Sequence, residues 1–282
     1  MDLFRNQTHP SGTLPFRTFS RDGVYNIAVG TTSKGEQQKY KSIDSAFYIK
    51  SRFIYQQRLW RDDFVEVIAS QYAGLCNLPD EVTVVRQGLC KVGREECSYS
   101  EAFDLNGDYY IPFSRALQGD FNILSAESIR VKDLSSWFSI LRDYYSKVIN
   151  MDATGYLVTM MLLDVIVANE DRHLSNFGYV MSESSGNLLP SPLFDFGLGL
   201  FEHSTDYYNG IPFDRALKKV KVKPWGHKLL TVLAYLENNH SSLVSRVLPE
   251  SVNIETFNFP SQLAKEYFQW VNERLGVRVV SL

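Results

Sequence analysis

The sequence has few cysteines and no long apolar run. Cys76, Cys90 and Cys97 are odd in number and lack the paired short spacing of a zinc site, so we predict neither a disulfide framework nor a metal-binding knot. No stretch approaches the roughly 18 apolar residues that a bilayer span requires, and the N-terminus has no basic segment followed by an apolar run. We therefore expect no membrane segment and a cytoplasmic location.

An excess of positive charge is also absent. The formal net charge is -3, whereas a surface that binds nucleic acid needs a local excess of Lys and Arg. The one basic run, Lys218 to Lys223, is short and typical of a solvated face. We therefore predict no direct contact with nucleic acid. With 282 residues, 44% of them hydrophobic, the chain is long enough for one large or two modest globular domains.

The first half of the chain alternates short β-like runs with turn residues, at 25–29, 46–50, 81–85 and 108–112. This pattern predicts an antiparallel sheet. Between the second and third runs, residues 62–73 have apolar positions at helical spacing behind an aspartate that can act as the cap. One helix packed on the sheet is the expected arrangement.

The pattern changes from about residue 133, where Asp133 or Ser135 can cap a helix with an apolar stripe. A second helix, from about 152 to 167, is apolar nearly all round, which favours a buried central position. Further helices are predicted at 228–236 and 261–274. The sequence thus predicts an α+β fold with a small β-rich lobe and a larger helical lobe, and a boundary near residues 115 to 130.

A segment rich in polar residues, Asn169 to Gly178, directly follows the apolar helix. A short apolar run, a turn at 184–187 and the segment 192–197 come next, and together they indicate a hairpin. Such a hairpin would hold Asn176 and Asp195 near one another at its open end.

Those two side chains suit Mg²⁺, which prefers carboxylate and amide oxygens and completes its coordination with phosphate oxygens and water. Asp171 is spaced to reach a substrate hydroxyl and to deprotonate it during phosphoryl transfer, while Arg172 and His173 would hold the loop. The alternative is a cap-rich turn in which His173 is a core histidine and residues 195–197 form an ordinary bend. The two motifs in this order, roughly twenty residues apart, favour the catalytic interpretation.

The pattern Asn-x-Asp-x-His-x-x-Asn followed by Asp-Phe-Gly resembles the catalytic and metal-binding loops of HipA-like kinases, and a related pattern occurs in phosphoinositide kinases. Here the catalytic aspartate, Asp171, precedes the histidine, whereas ordinary protein kinases have His-Arg-Asp. The resemblance implies a bilobal protein-kinase-like fold with a small antiparallel-sheet N-lobe at 1–120 and a mostly helical C-lobe at 121–282. It also implies ATP and Mg²⁺ as cofactors.

The resemblance also assigns residues in the small lobe. Lys50 matches the strand lysine that contacts nucleotide phosphates, and Glu66 matches the helix glutamate that pairs with it; taken alone, the two would be an ordinary surface lysine and surface glutamate. Further residues match the phosphate-covering loop and the hinge that meets adenine, namely Gly30, Ser33, Lys34 and Gly35 in the loop and Tyr110 and Ile111 in the hinge. A flexible hairpin turn is the alternative for the loop.

The expected reaction is transfer of the γ-phosphoryl group to Ser or Thr of a protein substrate. A lipid or small-molecule kinase and a nucleotide-binding pseudokinase are the alternatives. Retention of Lys50, Asp171, Asn176 and Asp195 favours an active enzyme. By resemblance we expect autophosphorylation within residues 31–33, an additional N-terminal subdomain that is missing or encoded separately, and, by analogy only, an antitoxin or regulatory partner.

Overall fold

A computed structural model describes residues 13–27, 37–52, 54–55, 58–103, 108–116, 133–202, 212–222 and 227–281. The predicted loop residues Gly30, Ser33, Lys34 and Gly35 lie outside this set, as does the predicted lobe boundary near residue 120. The descriptions below concern the described residues.

A curled six-stranded sheet forms most of the N-terminal part. Its strands are β1 Arg17–Phe19, β2 Val24–Asn26, β3 Lys39–Ser42, β4 Phe47–Ser51, β7 Gln87–Val92 and β8 Glu95–Glu101, and a separate small hairpin has β5 Ile54–Tyr55 and β6 Arg58–Leu59. The strand order in the sheet is β1-β7-β8-β4-β3-β2, and neighbouring strands are antiparallel except for the parallel pair β1 and β7.

This sheet has a small apolar core of its own, formed by five buried residues: Ile49, Cys90, Val92, Cys97 and Tyr99. Successive side chains along a strand point to opposite faces. Because Ile49 points into this core, Lys50 projects from the other face of β4. That alternation places the predicted ATP lysine on the face turned towards the helical lobe, where it meets residues of the C-terminal half.

The predicted helix at 62–73 is confirmed as α1, Asp62–Ala73. Its apolar residues Val65, Ile68 and Tyr72 belong to the large core that continues into the helical lobe. The predicted aspartate cap is wrong, since Arg61 is the N-cap residue and no side chain caps the helix. The Asp62 carboxylate instead accepts a hydrogen bond from Gln37 Nε2 at 2.7 Å.

Two of the predicted first-half strands are corrected by the structure. Residues 81–85 form an extended connection whose Val85 N donates to Leu193 O at 2.9 Å, so they pair with the segment before Asp195. The run at 108–112 is a strand, β9 Tyr109–Pro112, but it joins a different sheet. It pairs with residues 178–181 of the later hairpin. Both runs are rich in β-branched or aromatic residues, which favour extended structure. Pairing with distant segments decided where each run lies.

The helical lobe packs around one fully buried helix. The helices are α2 Leu134–Ile149, α3 Thr154–Ile166, α4 Phe213–Leu217, α5 Leu229–Asn239, α6 Ser241–Val247 and α7 Gln262–Arg274. The side chain of Asp133 caps α2 by accepting from Ser136 N, as predicted. Residues 156–166 of α3 are all buried, which confirms the central position inferred from its apolar sequence. None of the described helices is long and apolar enough to cross a membrane.

The predicted hairpin after the polar segment is confirmed. Its strands are β10 Gly178–Met181 and β11 Leu188–Pro190, and they form an antiparallel three-stranded sheet with β9 in the order β11-β10-β9. Two-stranded pairs complete the C-terminal part, with β12 Lys221–Val222 beside β13 His227–Lys228 and β14 Ser251–Asn253 beside β15 Arg278–Val280. The hairpin places the polar segment and the Asp-Phe-Gly segment at the same end of the lobe.

Candidate active site

Lys50 lies between two carboxylates from distant parts of the chain. Its Nζ is 3.1 Å from Glu66 Oε1 on α1 and 2.5 Å from Asp195 Oδ1 of the Asp-Phe-Gly segment. The Lys50 and Asp195 side chains remain 24% and 31% exposed, whereas Glu66 is 2% exposed. The lysine and Asp195 therefore face an accessible space while Glu66 supports Lys50 from behind.

Glu66 also fixes the Asp-Phe-Gly segment. Its Oε2 accepts a hydrogen bond from Phe196 N at 3.0 Å. Asp195 has a φ of 63°, in the left-handed region that non-glycine residues seldom adopt. Such strained backbone is retained when surrounding contacts hold it and is concentrated at functional sites. One buried glutamate thus positions both the lysine and the strained aspartate.

The electrostatic interactions among Lys50, Glu66 and Asp195 favour the charged forms of Lys50 and Asp195. Burial alone would lower the pKa of Lys50, but the attraction and hydrogen bonds of Asp195 and Glu66 outweigh burial and raise it above its usual range. Burial would likewise raise the pKa of Asp195, but Lys50, with Lys39 and His173, lowers it below its usual range. Both groups are therefore ionised across the physiological pH range.

The polar segment after α3 is held by a buried ion pair. Arg172 and Asp164 are both 0% exposed and are joined by a 2.9 Å contact between Arg172 Nη2 and Asp164 Oδ1. Arg172 Nη1 also donates to Asn176 O at 3.1 Å and to Phe194 O at 2.5 Å. A buried guanidinium needs such a complete set of acceptors. The arginine thus ties the polar segment to the residue before Asp195.

Asp171, His173 and Asn176 occupy distinct positions on this segment. Asp171 is half-buried, and its backbone N donates to Asn169 Oδ1 at 3.2 Å. Asn176 is buried, and its Nδ2 donates to Asp171 O at 3.3 Å. His173 is exposed and its Nδ1 accepts from Ser175 N at 3.2 Å. The alternative interpretation of His173 as a core histidine is therefore wrong.

A cavity of about 390 Å³ lies between the sheet and the helical lobe. Lys50 lines it from the sheet, and Asn176 and Asp195 line it from the lobe. Its remaining wall is largely aromatic, with Tyr48, Phe103, Tyr110 and Phe194. The rings of Phe103, Tyr110 and Phe194 are in mutual contact at centroid distances of 5.2 to 5.6 Å. The cavity wall therefore combines the charged pair Lys50 and Asp195 with a mainly aromatic remainder.

The predicted site residues divide by their relation to this cavity. Lys50, Tyr110, Asn176 and Asp195 line it, whereas Glu66, Ile111, Asp171 and His173 do not. Sequence reasoning placed Lys39, which lines the cavity, at the end of the predicted phosphate-covering loop without giving it a role, and it missed Asp164, which holds Arg172. The role of Asp164 could have been predicted from the sequence, because a lone carboxylate in a helix that is apolar all round must have a buried partner.

The donor set fits a magnesium ion bound together with phosphate. Asn176 Nδ2 donates a hydrogen bond to Asp171 O, and Asp195 Oδ1 accepts one from Lys50 Nζ. Among the described residues, no group donates to Asn176 Oδ1 or Asp195 Oδ2, so two residues of the cavity wall each keep one oxygen that could bind a cation. The same residues contain no cluster of three His, Cys, Asp or Glu side chains that could hold a metal unaided. Mg²⁺ typically takes one or two protein oxygens plus phosphates and water.

Comparison with solved structures reveals the fold. The Helicobacter pylori proinflammatory kinase CtkA superposes with a TM-score of 0.59 at 14% sequence identity, covering 93% of this chain and 95% of CtkA. HipA from Shewanella oneidensis, in a complex with HipB and operator DNA, gives a TM-score of 0.43 at 11% identity, covering 90% of this chain and 66% of HipA. An aminoglycoside phosphotransferase from Streptomyces rimosus gives 0.27 at 13% identity, with coverage of 90% and 93%.

No family model matches the chain, and no curated protein matches it by sequence. The likeness to CtkA extends over nearly the whole of both chains. It confirms the predicted fold class, since the small sheet with one helix and the larger helical lobe are parts of one architecture. The chain therefore has the two-lobed α+β fold of protein-kinase-like proteins.

Proposed function

We propose that this protein is an ATP- and Mg²⁺-dependent phosphotransferase, and within that class a HipA-like serine/threonine protein kinase. One observation carries the proposal: Lys50 is held between Glu66 and Asp195 in the wall of a cavity that Asn176 also lines. An ordinary surface lysine is not held by two carboxylates from separate lobes, so this arrangement indicates a lysine that is positioned for a ligand. We assign residues 1–120 to the small lobe and 121–282 to the large lobe.

The cavity has a place for each part of ATP. The aromatic part of the wall, with Phe103, Tyr110 and Phe194, suits the base, and Lys50 suits the phosphates. Asn176 and Asp195 would hold Mg²⁺, which neutralises charge on the phosphates when it is bound. Glu66 keeps the Lys50 ammonium in place, so the lysine need not be reordered when the nucleotide enters.

The chemical step is an in-line displacement at the γ-phosphorus. A bond forms between the acceptor hydroxyl oxygen and phosphorus, the bond from phosphorus to the bridging oxygen of ADP breaks, and the hydroxyl proton passes to the Asp171 carboxylate. Asp171 is not part of the cavity wall, but its carbonyl oxygen accepts a hydrogen bond from Asn176, which is. That position suits contact with the acceptor and not with the nucleotide. Arg172, through its ion pair with Asp164, holds the loop that carries Asp171.

Incubation of the protein with γ-labelled ATP and Mg²⁺ tests the proposal. We expect label on the protein itself, or on protein in added cell extract, in hydroxyl-phosphate linkage that survives acid. Label in added lipid vesicles would identify a lipid kinase instead. Bound ATP without any transfer would identify a nucleotide-binding pseudokinase. Neither binding nor transfer would contradict the proposed function as a whole.

A further inference from the structure

The turn at 198–202, which follows the Asp-Phe-Gly segment, reaches the start of α1. Glu202, at the end of this turn, is 7% exposed, and its Oε2 accepts a hydrogen bond from Arg61 N at 3.1 Å. Arg61 is the N-cap residue of α1. The contact therefore joins the beginning of the helix to a carboxyl group of the large lobe, 141 residues further along the chain.

Helix α1 does not supply this contact itself. In a capping box, a Glu or Gln at the third position of the helix accepts a hydrogen bond from the N–H of the cap residue. The third position of α1 is Phe64, which has no acceptor. Burial raises the pKa of Glu202, whereas the hydrogen bond from Arg61 N and the Arg61 guanidinium lower it. Glu202 thus takes a place that no residue of the helix fills.

The backbone directly before Glu202 is strained. Leu200 and Phe201 have φ values of 49° and 64°, in the left-handed region that non-glycine residues seldom adopt. Both side chains are buried in the large core, and Glu202 N donates to Gly199 O at 3.1 Å. Such strain is retained only where surrounding contacts hold the backbone. The packing of the turn therefore fixes the direction in which Glu202 points.

The same turn is hydrogen-bonded to the segment that carries Asp171. Leu200 N donates to Val167 O at 2.7 Å, just after α3. Glu170 N, next to Asp171, donates to Leu198 O at 3.1 Å. The turn thus contacts the loop of the proposed catalytic residue on one side and the start of α1 on the other.

We propose that Glu202 is a positioning residue, which holds α1 in the orientation that lets Glu66 contact Lys50. Glu66 lies on the second turn of α1, and its Oε1 is 3.1 Å from Lys50 Nζ. Glu202 is not part of the cavity wall, so its effect on a bound nucleotide passes through the helix. The inference rests on the proposed function, because it takes Lys50 to bind the nucleotide.

A double-mutant cycle measured by calorimetry tests this role. Glu202→Met keeps the size of the side chain and removes the acceptor, and we expect it to weaken ATP binding by roughly tenfold, the scale for a lost hydrogen bond to a charged group. In a Glu66→Met background the same change should weaken binding by less than about twofold, because the path through Glu66 is already broken. Glu202→Gln, which keeps an oxygen that accepts from Arg61 N, should retain most of the ATP affinity.

Two variants of Arg61 test the same contact from its other side. Arg61→Pro removes the N–H that Glu202 accepts from, because proline has none, so it should weaken ATP binding in the parent and add little to Glu202→Met. Arg61→Ala keeps the N–H and should bind ATP like the parent. Glu237→Met, which removes a carboxylate that pairs with Arg274 elsewhere in the large lobe, is the matched control and should have no effect. Urea denaturation verifies that each variant is folded at the assay temperature.

Several results would overturn the inference. Unchanged ATP affinity in Glu202→Met would exclude Glu202 as a positioning residue. An equal loss with and without Glu66 would show a general structural effect and not action through that glutamate. If Glu202→Met does not fold, parental ATP affinity in Arg61→Pro would overturn the inference instead. A parent protein that binds no ATP would contradict the proposed function together with this inference, whereas the other results would leave the proposed function intact.

Discussion

The tasks proposed for Asp171 and Lys50 are separable, since Lys50 lines the cavity and Asp171 does not. In the proposed reaction, Asp171 contacts the acceptor and Lys50 contacts the nucleotide. Lys50 depends on residues far away in sequence, because Glu66 and Asp195 both contact its Nζ. Single substitutions should therefore divide into those that affect turnover and those that affect binding.

Asp171→Asn should lower phosphotransfer turnover by at least about a hundredfold, the scale of a positioned acid/base group. ATP affinity should change little, because Asp171 is not part of the cavity wall. A phosphotransfer assay and calorimetry measure the two quantities separately. Asp143→Asn, an exposed aspartate on α2, is the control and should have neither effect. An Asp171→Asn protein with parental turnover would exclude the role assigned here.

Lys50→Met and Asp195→Ala should differ in their response to magnesium. Lys50→Met removes a cation from the phosphates, so ATP binding should weaken about tenfold or more with or without Mg²⁺. Asp195→Ala removes a metal ligand, so binding should weaken with Mg²⁺ and be unchanged or tighter in excess EDTA, where the carboxylate only repels phosphate. Titrations with and without EDTA measure this, and Lys91→Met on the exposed side of β7 is the control. Parental binding by both variants would refute the site.

At the scale of elements, α1 and the β9–β10 pair connect the two lobes. Helix α1 lies against the sheet, yet its apolar residues belong to the large core. Strand β9 approaches β10 closely at Gly178, where an added Cβ would lie 2.1 Å from Ile111 O. Because Tyr110 lines the cavity from β9, the spacing of these two strands sets one wall of the site.

Gly178→Ala should therefore cost about 3 kcal/mol or more of unfolding free energy, at the upper end for overpacking, because backbone atoms must move. It should also weaken ATP binding by displacing Tyr110. Gly186→Ala in the turn of the same hairpin is the matched variant, since its φ of 67° is strained for alanine but its surroundings are open. It should cost only about 1 kcal/mol and leave ATP binding unchanged. Urea denaturation and calorimetry measure both, and equal effects of the two variants would contradict the argument.

The predicted phosphate-covering loop carries the proposed regulation. Phosphate on Thr31, Thr32 or Ser33 would add about -1.5 to -2 charge where the γ-phosphate must lie, so ATP binding should weaken. Mass spectrometry after incubation with MgATP should find the phosphate there in the parent protein and not in Asp171→Asn. An unmodified loop in a preparation with demonstrated transfer would refute the prediction.

At the scale of the whole molecule, the two lobes have unequal cores. The sheet has a small apolar cluster, whereas the helical lobe and α1 share a large one. The cavity between them is lined from both sides, by Lys39 and Lys50 from the sheet and by Asn176 and Asp195 from the helical lobe. A ligand that bridges these walls should stabilise the smaller lobe by docking it on the larger one.

MgATP at a hundred times its dissociation constant should add about 2.7 kcal/mol to the free energy of unfolding, which raises the melting temperature by about 5 °C in a chain of this size. Differential scanning fluorimetry measures the shift. Lys50→Met at the same ATP concentration should show a smaller one. No shift in the parent at millimolar MgATP would contradict nucleotide binding.

Periodicity and motif order predicted much of this molecule from local sequence. The helices α1 and α3 followed from the spacing of apolar residues, and the hairpin from a turn between two short runs. Asp171 and Asn176 were proposed as site residues because polar residues directly after an apolar helix are seldom required by structure alone, and Asp195 was proposed because the predicted hairpin brings it near Asn176. These features are encoded within a few turns or one hairpin, where spacing determines which side chains share a face.

Other features were decided only by tertiary contacts. The sequence could not show that β9 leaves the first sheet for β10, that Asp164 pairs with Arg172, or that Lys39 faces Lys50. Each depends on the register or packing of segments that local pattern leaves open, since a strand with the same alternation can pair with several partners. The sequence by itself thus determined the two motifs of the proposed site, and the tertiary structure decided how charge is distributed around them, because that depends on which strands and helices lie side by side.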